Sequence, residues 1–127
     1  MGRLALDSDA LIAIFKTNDK HHKTIVNRLF QSSDKIIISV ISLSESLVHA
    51  YRVGYGEAAR KQIADLALEI VEVDQAIAIR AAELRALHNV KLGDALIGAT
   101  AIEHQCTLVT FDSKLSKAIP GSELLLS

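Results

Sequence analysis

The chain has 127 residues, of which half are apolar and 23% are charged, a composition that excludes an intrinsically disordered protein. Its 14 basic and 15 acidic residues nearly cancel, which argues against a protein that coats nucleic acid through net charge alone. A single cysteine, Cys106, excludes an internal disulfide and a zinc cluster built from cysteines.

Targeting and membrane signals are absent from the sequence. The N-terminal apolar run is too short for a signal peptide because it ends at Asp7, and no apolar run approaches the ~20 residues of a membrane span. We therefore expect residues 1–127 to form one domain of a soluble, cytoplasmic protein without a membrane partner. The high apolar fraction indicates that another chain covers part of the surface, and we expect a homodimer.

Short apolar runs alternate with longer amphipathic stretches in the first half of the chain. This pattern predicts strands at residues 4–6 and 36–38 and helices at 10–15, 21–30, 42–53 and 55–68. The isoleucines at 36–38 form a continuous β-branched run, as expected of a strand that is buried on both faces. Ser42 and Glu45 have the spacing of a capping box at the start of the third helix.

The second half of the chain continues the alternation. It predicts strands at 70–73 and 107–111, a short edge strand at 124–126, and helices at 75–87 and 95–104. Asp74 precedes the first of these helices as a cap, and Gly93 and Asp94 open the second. We expect an α/β fold, with a parallel sheet of four to five strands and helices on both faces.

Carboxylates lie where the predicted strands end and the next helices begin. Asp7 and Asp9 follow the first strand, Glu45 comes soon after the second, Asp94 opens a helix, and Asp112 follows the strand at 107–111. Each one alone is explained as a helix cap or turn residue. Several at one edge of a sheet would repel one another unless a cation were bound. Oxygen ligands point to Mg²⁺ or Mn²⁺, and such a site suits phosphodiester hydrolysis.

Four segments that contain these carboxylates carry a family resemblance. They are LALDSDALI at 4–12, ISVISLSE at 38–45, KLGDALIGATA at 91–101 and LVTFD at 108–112. In this order and at domain-sized spacing, they resemble the PIN-domain nucleases, and most closely the VapC-type toxins of prokaryotic toxin–antitoxin pairs. The resemblance covers nearly the whole chain.

The resemblance implies a Mg²⁺-dependent endoribonuclease, with Mn²⁺ able to substitute, that is the toxin of a type II toxin–antitoxin pair. It places Asp7 and Asp94 as direct metal ligands, with Glu45 and Asp112 ligating the metal or holding water beside it. The supporting residues that it implies are Ser8, Asp9 and Thr110. Asp9 stands where the family often has Asn, and Lys114 and Leu115 stand where many relatives have an acidic and an aromatic residue.

The resemblance also implies two partners: an RNA substrate and an antitoxin that fills an apolar groove. Tyr51 and Tyr55 belong to an apolar stretch that either packs in the core or faces a partner. The basic residues near the predicted site are either ordinary solvated charges or an approach for the RNA backbone. They are Arg80, Arg85, Lys91, Lys114 and Lys117.

Two other functions remain open from the sequence. A receiver-type phosphoacceptor domain has a similar length and also carries acidic residues after its first strand. It needs an aspartate at the end of a central strand, whereas the strand at 36–38 leads into Ser39. The other alternative is a PIN fold that binds its ligands without catalysing a reaction. The five histidines have no partner at metal-ligand spacing and are interpreted as surface or helix-terminal residues.

Overall fold

The structure is a computed structural model that describes residues 2–126. Its strands are β1 (Arg3–Leu6), β2 (Lys35–Ser39), β3 (Glu69–Val71), β4 (Thr107–Thr110) and β5 (Glu123–Leu124). Its helices are α1 (Ser8–Phe15), α2 (His22–Phe30), α3 (Val40–Arg52), α4 (Gly56–Asp65), α5 (Gln75–Leu87), α6 (Leu92–Glu103) and α7 (Ser113–Ala118). No helix within the described range is long and apolar enough to cross a bilayer.

The five strands form one sheet in the order β3-β2-β1-β4-β5, and every neighbouring pair is parallel. At the end of the central strand β1, Leu6 pairs with Ile38 of β2 and Val109 of β4. The carboxyl ends of these three strands therefore meet at one edge of the sheet, which is where parallel α/β proteins bind their ligands. The predicted parallel sheet is confirmed.

Helices cover both faces of this sheet, as predicted. Successive strand side chains point to opposite faces, so that β1 contributes to two separate apolar clusters. Leu6 packs in the cluster that contains Leu11 of α1 and Ile25 of α2. Ala5 packs in the other, which contains Ile97 of α6 and residues of α5 and α7. This two-sided burial explains why the sequences of the central strands are almost entirely apolar.

The predicted capping box at Ser42 and Glu45 is wrong. Helix α3 begins at Val40 rather than at residue 42, and its N-cap is Ser39, whose hydroxyl accepts a hydrogen bond from the Ile41 amide at 3.0 Å. Ser42 lies inside the helix, where its buried hydroxyl donates to the Leu6 carbonyl at 3.3 Å. Ser42 therefore fixes α3 to the end of the central strand.

Other bounds also differ from the sequence prediction: α1 begins at Ser8 rather than at residue 10, α6 is Leu92–Glu103 rather than 95–104, and β5 is Glu123–Leu124 rather than 124–126. Helix α4 ends at Asp65 instead of residue 68, because Ala67 adopts a positive φ of 54° that no α-helix can continue through. Strand β3 is Glu69–Val71 rather than 70–73. Helix α7 was not predicted at all, although its N-cap, Asp112, was singled out for another reason.

Candidate active site

Asp7 is the most buried of the predicted site carboxylates, with only 5% of its surface exposed. It follows β1 directly and is the N-cap of α1, where Oδ1 accepts from the Ala10 amide at 2.9 Å. Its other oxygen, Oδ2, accepts from the hydroxyl of Thr110 at the end of β4, at 2.5 Å. Both oxygens are thus held from neighbouring strands and helices, and the carboxylate has a fixed orientation.

The pKa of Asp7 is raised to about 6, mainly by burial and to a lesser extent by the charges of Asp9 and Asp94. The hydrogen bonds from Thr110 and Ala10 act in the opposite direction but do not cancel the effect of burial. No lysine or arginine among residues 2–126 forms an ion pair with this carboxylate. Asp7 is therefore a buried acid whose negative charge is not neutralised by the part of the chain that the structure describes.

Glu45 reaches the same edge of the sheet from α3. Its Oε1 accepts a hydrogen bond from the Ser8 hydroxyl at the start of α1. Its Oε2 lies against the first turn of α6, where a Cβ atom added to Gly93 would be only 2.5 Å away. Glu45 is exposed along most of its length, but its carboxylate is held between the N-terminal ends of two helices.

Asp112 follows the end of β4 after one intervening residue, Phe111. It is the N-cap of α7, and its Oδ1 accepts from the amides of Lys114 and Leu115 at 2.9 and 3.2 Å. Its own amide donates to the Thr110 hydroxyl at 3.0 Å. The Thr110 side chain therefore links Asp112 to Asp7, which gives a structural role to a hydroxyl that the sequence resemblance implied.

Asp94 is half-buried in the first turn of α6, where its carboxylate is close enough to the other predicted carboxylates to feel their charges. Burial raises its pKa, and the charges of Asp112, Glu45 and Asp9 raise it further, whereas Lys91 lowers it. The acidic residues thus share one region of negative potential at the end of the sheet.

This donor set fits a hard divalent cation in its chemistry, because it contains only carboxylate and hydroxyl oxygens. The crowding of negative charge around Asp94 is also the condition that a bound cation relieves. However, no three histidine, cysteine, aspartate or glutamate side chains in residues 2–126 are close enough together to form a ready-made metal site. The carboxylates are neighbours, and their arrangement is wider than a closed coordination sphere.

A small cavity of about 110 Å³ opens beside two of the carboxylates. Its lining residues are Asn89, Val90, Lys91, Asp94, Asp112, Lys114 and Leu115. Neither lysine forms an ion pair within the described part of the chain. Two cationic side chains therefore stand at the entrance to an acidic site.

The two arginines considered with these lysines are engaged elsewhere. Arg80 forms an ion pair with Glu103 at 3.0 Å and a second one with Glu83 at 3.6 Å. The Nε of Arg85 donates to the carbonyl of Val90 at 3.3 Å. Of the five basic residues, Lys91 and Lys114 therefore line the cavity, whereas Arg80 has its charge offset by two glutamates. Lys117 lies in the last turn of α7 and is not part of the cavity lining.

Sequence reasoning missed one aromatic contact near this edge. The imidazole of His21 stacks on the ring of Phe111, with the ring centroids 3.8 Å apart and the planes inclined by 18°. The two residues are far apart in the chain, and no local pattern signals their contact. The interpretation of His88 and His104 as helix-terminal residues agrees with their positions as the C-caps of α5 and α6.

Solved structures of similar fold include a toxin–antitoxin complex from Klebsiella pneumoniae, with a TM-score of 0.78 and 29% identity over 94% of this chain and 95% of that one. DNA-bound VapBC from Salmonella typhimurium has a TM-score of 0.75 and 23% identity, covering 98% of each chain. A sarcin–ricin loop cleaving VapC toxin from Mycobacterium tuberculosis has a TM-score of 0.75 and 18% identity, covering 91% of this chain and 94% of that one.

The last two likenesses, at such low identity, support the fold alone. A search of curated proteins found no match to the chain. A family model described as PIN domain, in contrast, matches residues 4–119, which include every carboxylate of the candidate site. The chain belongs to the PIN domain family.

Proposed function

We propose that the protein is a divalent-metal-dependent endoribonuclease and the toxin of a type II toxin–antitoxin pair. The observation that carries this proposal is the convergence of carboxylates from β1, α3, α6 and the end of β4 on one edge of a PIN-domain sheet. The RNA cleavage named for the Mycobacterium tuberculosis relative, and the antitoxin in the Klebsiella pneumoniae complex, support the choice of substrate and partner. We expect the protein to act in the cytoplasm.

In this proposal the four main carboxylates hold Mg²⁺, or Mn²⁺ in its place. Asp7 and Asp94 are the direct ligands, because they are the two most buried carboxylates of the set. Glu45 and Asp112 complete the set or hold a water molecule beside it. When bound, such an ion neutralises charge on a phosphodiester and makes water more acidic.

The remaining residues of the site orient these groups and bind the substrate. Thr110 fixes Asp7 and Asp112 relative to each other, and Ser8 fixes Glu45. Lys91 and Lys114 bind phosphate oxygens of the RNA backbone, since both line the cavity that Asp94 and Asp112 share. A phosphate held there lies next to the carboxylates, so the same cavity positions the scissile bond.

We further propose that the antitoxin binds an apolar groove of about 150 Å³ between α1, α3 and α4. Ile12, Phe15 and Ile63 contribute to its lining, together with Tyr55. The Ser46 side chain lies beside this groove, and its buried hydroxyl has no hydrogen-bond partner among the described residues. Exposed apolar side chains nearby provide further surface for an antitoxin or for a homodimer, and they include Val48, Tyr51 and Val53.

RNA cleavage by the purified protein tests the activity. We expect cleavage of a structured RNA pool in Mg²⁺ or Mn²⁺, none in EDTA, and a loss of at least about 100-fold in Asp7→Asn or Asp94→Asn. Asn keeps the size and the capping ability of Asp, so both variants should fold. Cleavage that persists in EDTA, or in a folded Asp94→Asn variant, contradicts the proposal.

Two controls separate the alternatives. Incubation with acetyl phosphate followed by intact mass measurement detects a phosphoacceptor, which the observed strand order and the family membership do not support. Tight binding of RNA and Mn²⁺ without any cleavage would instead identify a non-catalytic PIN domain.

A further inference from the structure

Gly93 is a glycine whose presence is not explained by its own backbone conformation. It is the second residue of α6, directly before Asp94. The glycines of residues 2–126 that have a positive φ are Gly54 and Gly121, so Gly93 adopts a conformation that alanine also adopts. Since glycine is a poorer helix former than alanine, the local structure alone would favour alanine at this position.

The space around Gly93 explains why glycine rather than alanine occupies this position. An added Cβ would lie 2.5 Å from Oε2 and 3.4 Å from the carboxyl carbon of Glu45. The Glu45 carboxylate therefore occupies the volume that a side chain at position 93 would fill. On its other side, the same carboxylate accepts a hydrogen bond from Ser8.

The start of α6 also provides a favourable environment for this anion. The N-cap of α6, Lys91, makes no side-chain hydrogen bond to the first turn, so the amides of that turn lack a cap within the helix itself. The N-terminal end of a helix carries partial positive charge, which attracts a carboxylate that can come close. Gly93 allows Glu45 to make this close approach.

We infer that Gly93 is a positioning residue for Glu45: its missing side chain lets the Glu45 carboxylate rest on the first turn of α6, beside Asp94. This inference rests on the proposed nuclease function, in which Glu45 belongs to the metal site. An alanine at position 93 displaces the carboxylate by about 1 Å before van der Waals contact is restored. A displacement of that size at a catalytic group costs up to about 100-fold in rate.

The first experiment measures the contact without using the activity. We expect Gly93→Ala to raise Tm in a Glu45→Ala background, where only the better helix propensity of alanine remains. In the wild-type background, the same substitution should raise Tm less or lower it, because the Glu45 carboxylate must move. An equal rise in Tm in both backgrounds overturns the inferred contact.

The second experiment measures the positioning. In Gly93→Ala we expect Mn²⁺ affinity, measured by titration calorimetry with the metal alone, to fall roughly 10-fold, and kcat for RNA cleavage to fall roughly 10- to 100-fold. KM for RNA should stay within about twofold, since the phosphate-binding lysines are untouched. Adding Glu45→Asp to Gly93→Ala should restore part of kcat, because the shorter carboxylate clears the new methyl group.

Leu92→Ala is the matched control, since Leu92 is the preceding residue on the same helical turn and is 55% exposed. It should leave Mn²⁺ affinity and kcat unchanged. Wild-type kcat and Mn²⁺ affinity in a folded Gly93→Ala variant overturn the positioning role while the nuclease proposal stands. A wild-type protein that neither binds Mn²⁺ nor cleaves RNA overturns the nuclease proposal, and the catalytic role of Gly93 with it.

Discussion

At the scale of single residues, burial has the largest effect on the pKa of Asp7. Two hydrogen bonds favour the charged form of its carboxylate, yet its pKa is raised to about 6. In the unfolded chain an aspartate has a pKa of about 3.9. The folded protein therefore binds this proton more tightly than the unfolded one, and the contribution of Asp7 to stability decreases as the pH rises through 6.

We predict that this dependence appears when the metal is removed. In EDTA, the free energy of unfolding of the wild type should decrease by about 1 kcal/mol more between pH 5 and pH 7.5 than that of Asp7→Asn. Urea unfolding of the wild type and of Asp7→Asn at the two pH values measures these free energies. The same pH dependence in the two proteins would show that Asp7 is not the titrating group.

Thr110 is the residue on which the orientation of Asp7 depends. Its hydroxyl donates to Asp7 and accepts from the amide of Asp112, so a single side chain serves two site residues. We predict that Thr110→Val lowers RNA cleavage roughly 10- to 100-fold, because valine keeps the shape but makes neither hydrogen bond. Thr110→Ser is the control and should retain most of the activity. Full activity in a folded Thr110→Val variant would rule out this role.

At the scale of secondary structure, the edge strand β5 depends on one ion pair for its attachment to α2. Arg28 binds Glu123 through two nitrogens, with Nε 2.5 Å from Oε2 and Nη2 3.0 Å from Oε1. A backbone hydrogen bond of 2.8 Å from Leu125 to the Thr110 carbonyl adds the connection to β4. This short strand otherwise has little apolar surface with which to hold its place.

We predict that Arg28→Ala lowers the free energy of unfolding by about 1 kcal/mol and increases amide hydrogen exchange in β5. Arg28→Lys should recover only part of the loss, because an ammonium group cannot bind both carboxylate oxygens in this geometry. A double-mutant cycle with Glu123→Ala isolates the pair. A coupling energy near zero would contradict the stabilising role of the pair.

Elements with local signals were predicted well, and those fixed by distant contacts were not. The bounds of α5 were predicted correctly, since Asp74 caps it through a hydrogen bond from the Ile77 amide. For α3 two serines compete as caps, and the choice of Ser39 depends on Ser42 reaching the Leu6 carbonyl, which is 36 residues away. Helix α7 has only six residues, too few for a periodic pattern to be visible.

At the scale of the whole molecule, the sequence predicts that the carboxylates lie at one edge of the sheet, but it does not predict the distances between their side chains. Residues that follow parallel strands lie at one edge of the sheet, and the structure has Asp7 directly after β1 and Asp112 two residues after the end of β4. The separation of the side chains depends on packing between helices, which sequence does not reveal. Metal ligation by these residues stays a prediction.

We predict that Mn²⁺ stabilises the fold as a whole. A cation bound between mutually repelling carboxylates favours the folded state, so millimolar Mn²⁺ should raise Tm measurably. Thermal melting of the wild type and of an Asp7→Asn/Asp94→Asn double variant tests this. The double variant should show little or no shift, and an equal shift in both proteins would place the bound ion elsewhere.

Toxicity is the corresponding prediction in the cell. We expect expression of the wild-type chain alone to slow the growth of a bacterial host and Asp94→Asn to relieve the effect. Measurement of soluble protein levels shows whether the wild type and Asp94→Asn accumulate equally. Undiminished toxicity of Asp94→Asn at equal levels would show that growth inhibition does not require this carboxylate.

Because the central strand β1 pairs with β4, the site is completed late during synthesis on the ribosome. The central strand β1 is made first, but its neighbour β4 lies about a hundred positions later, as does the hydroxyl that orients Asp7. An emerging chain can pair β1 with β2 and β2 with β3, yet it still lacks two of the four main carboxylates, Asp94 and Asp112. We therefore expect a nascent or prematurely terminated polypeptide to be harmless to the messenger RNA and ribosome that produce it, until the segment after β4 has emerged.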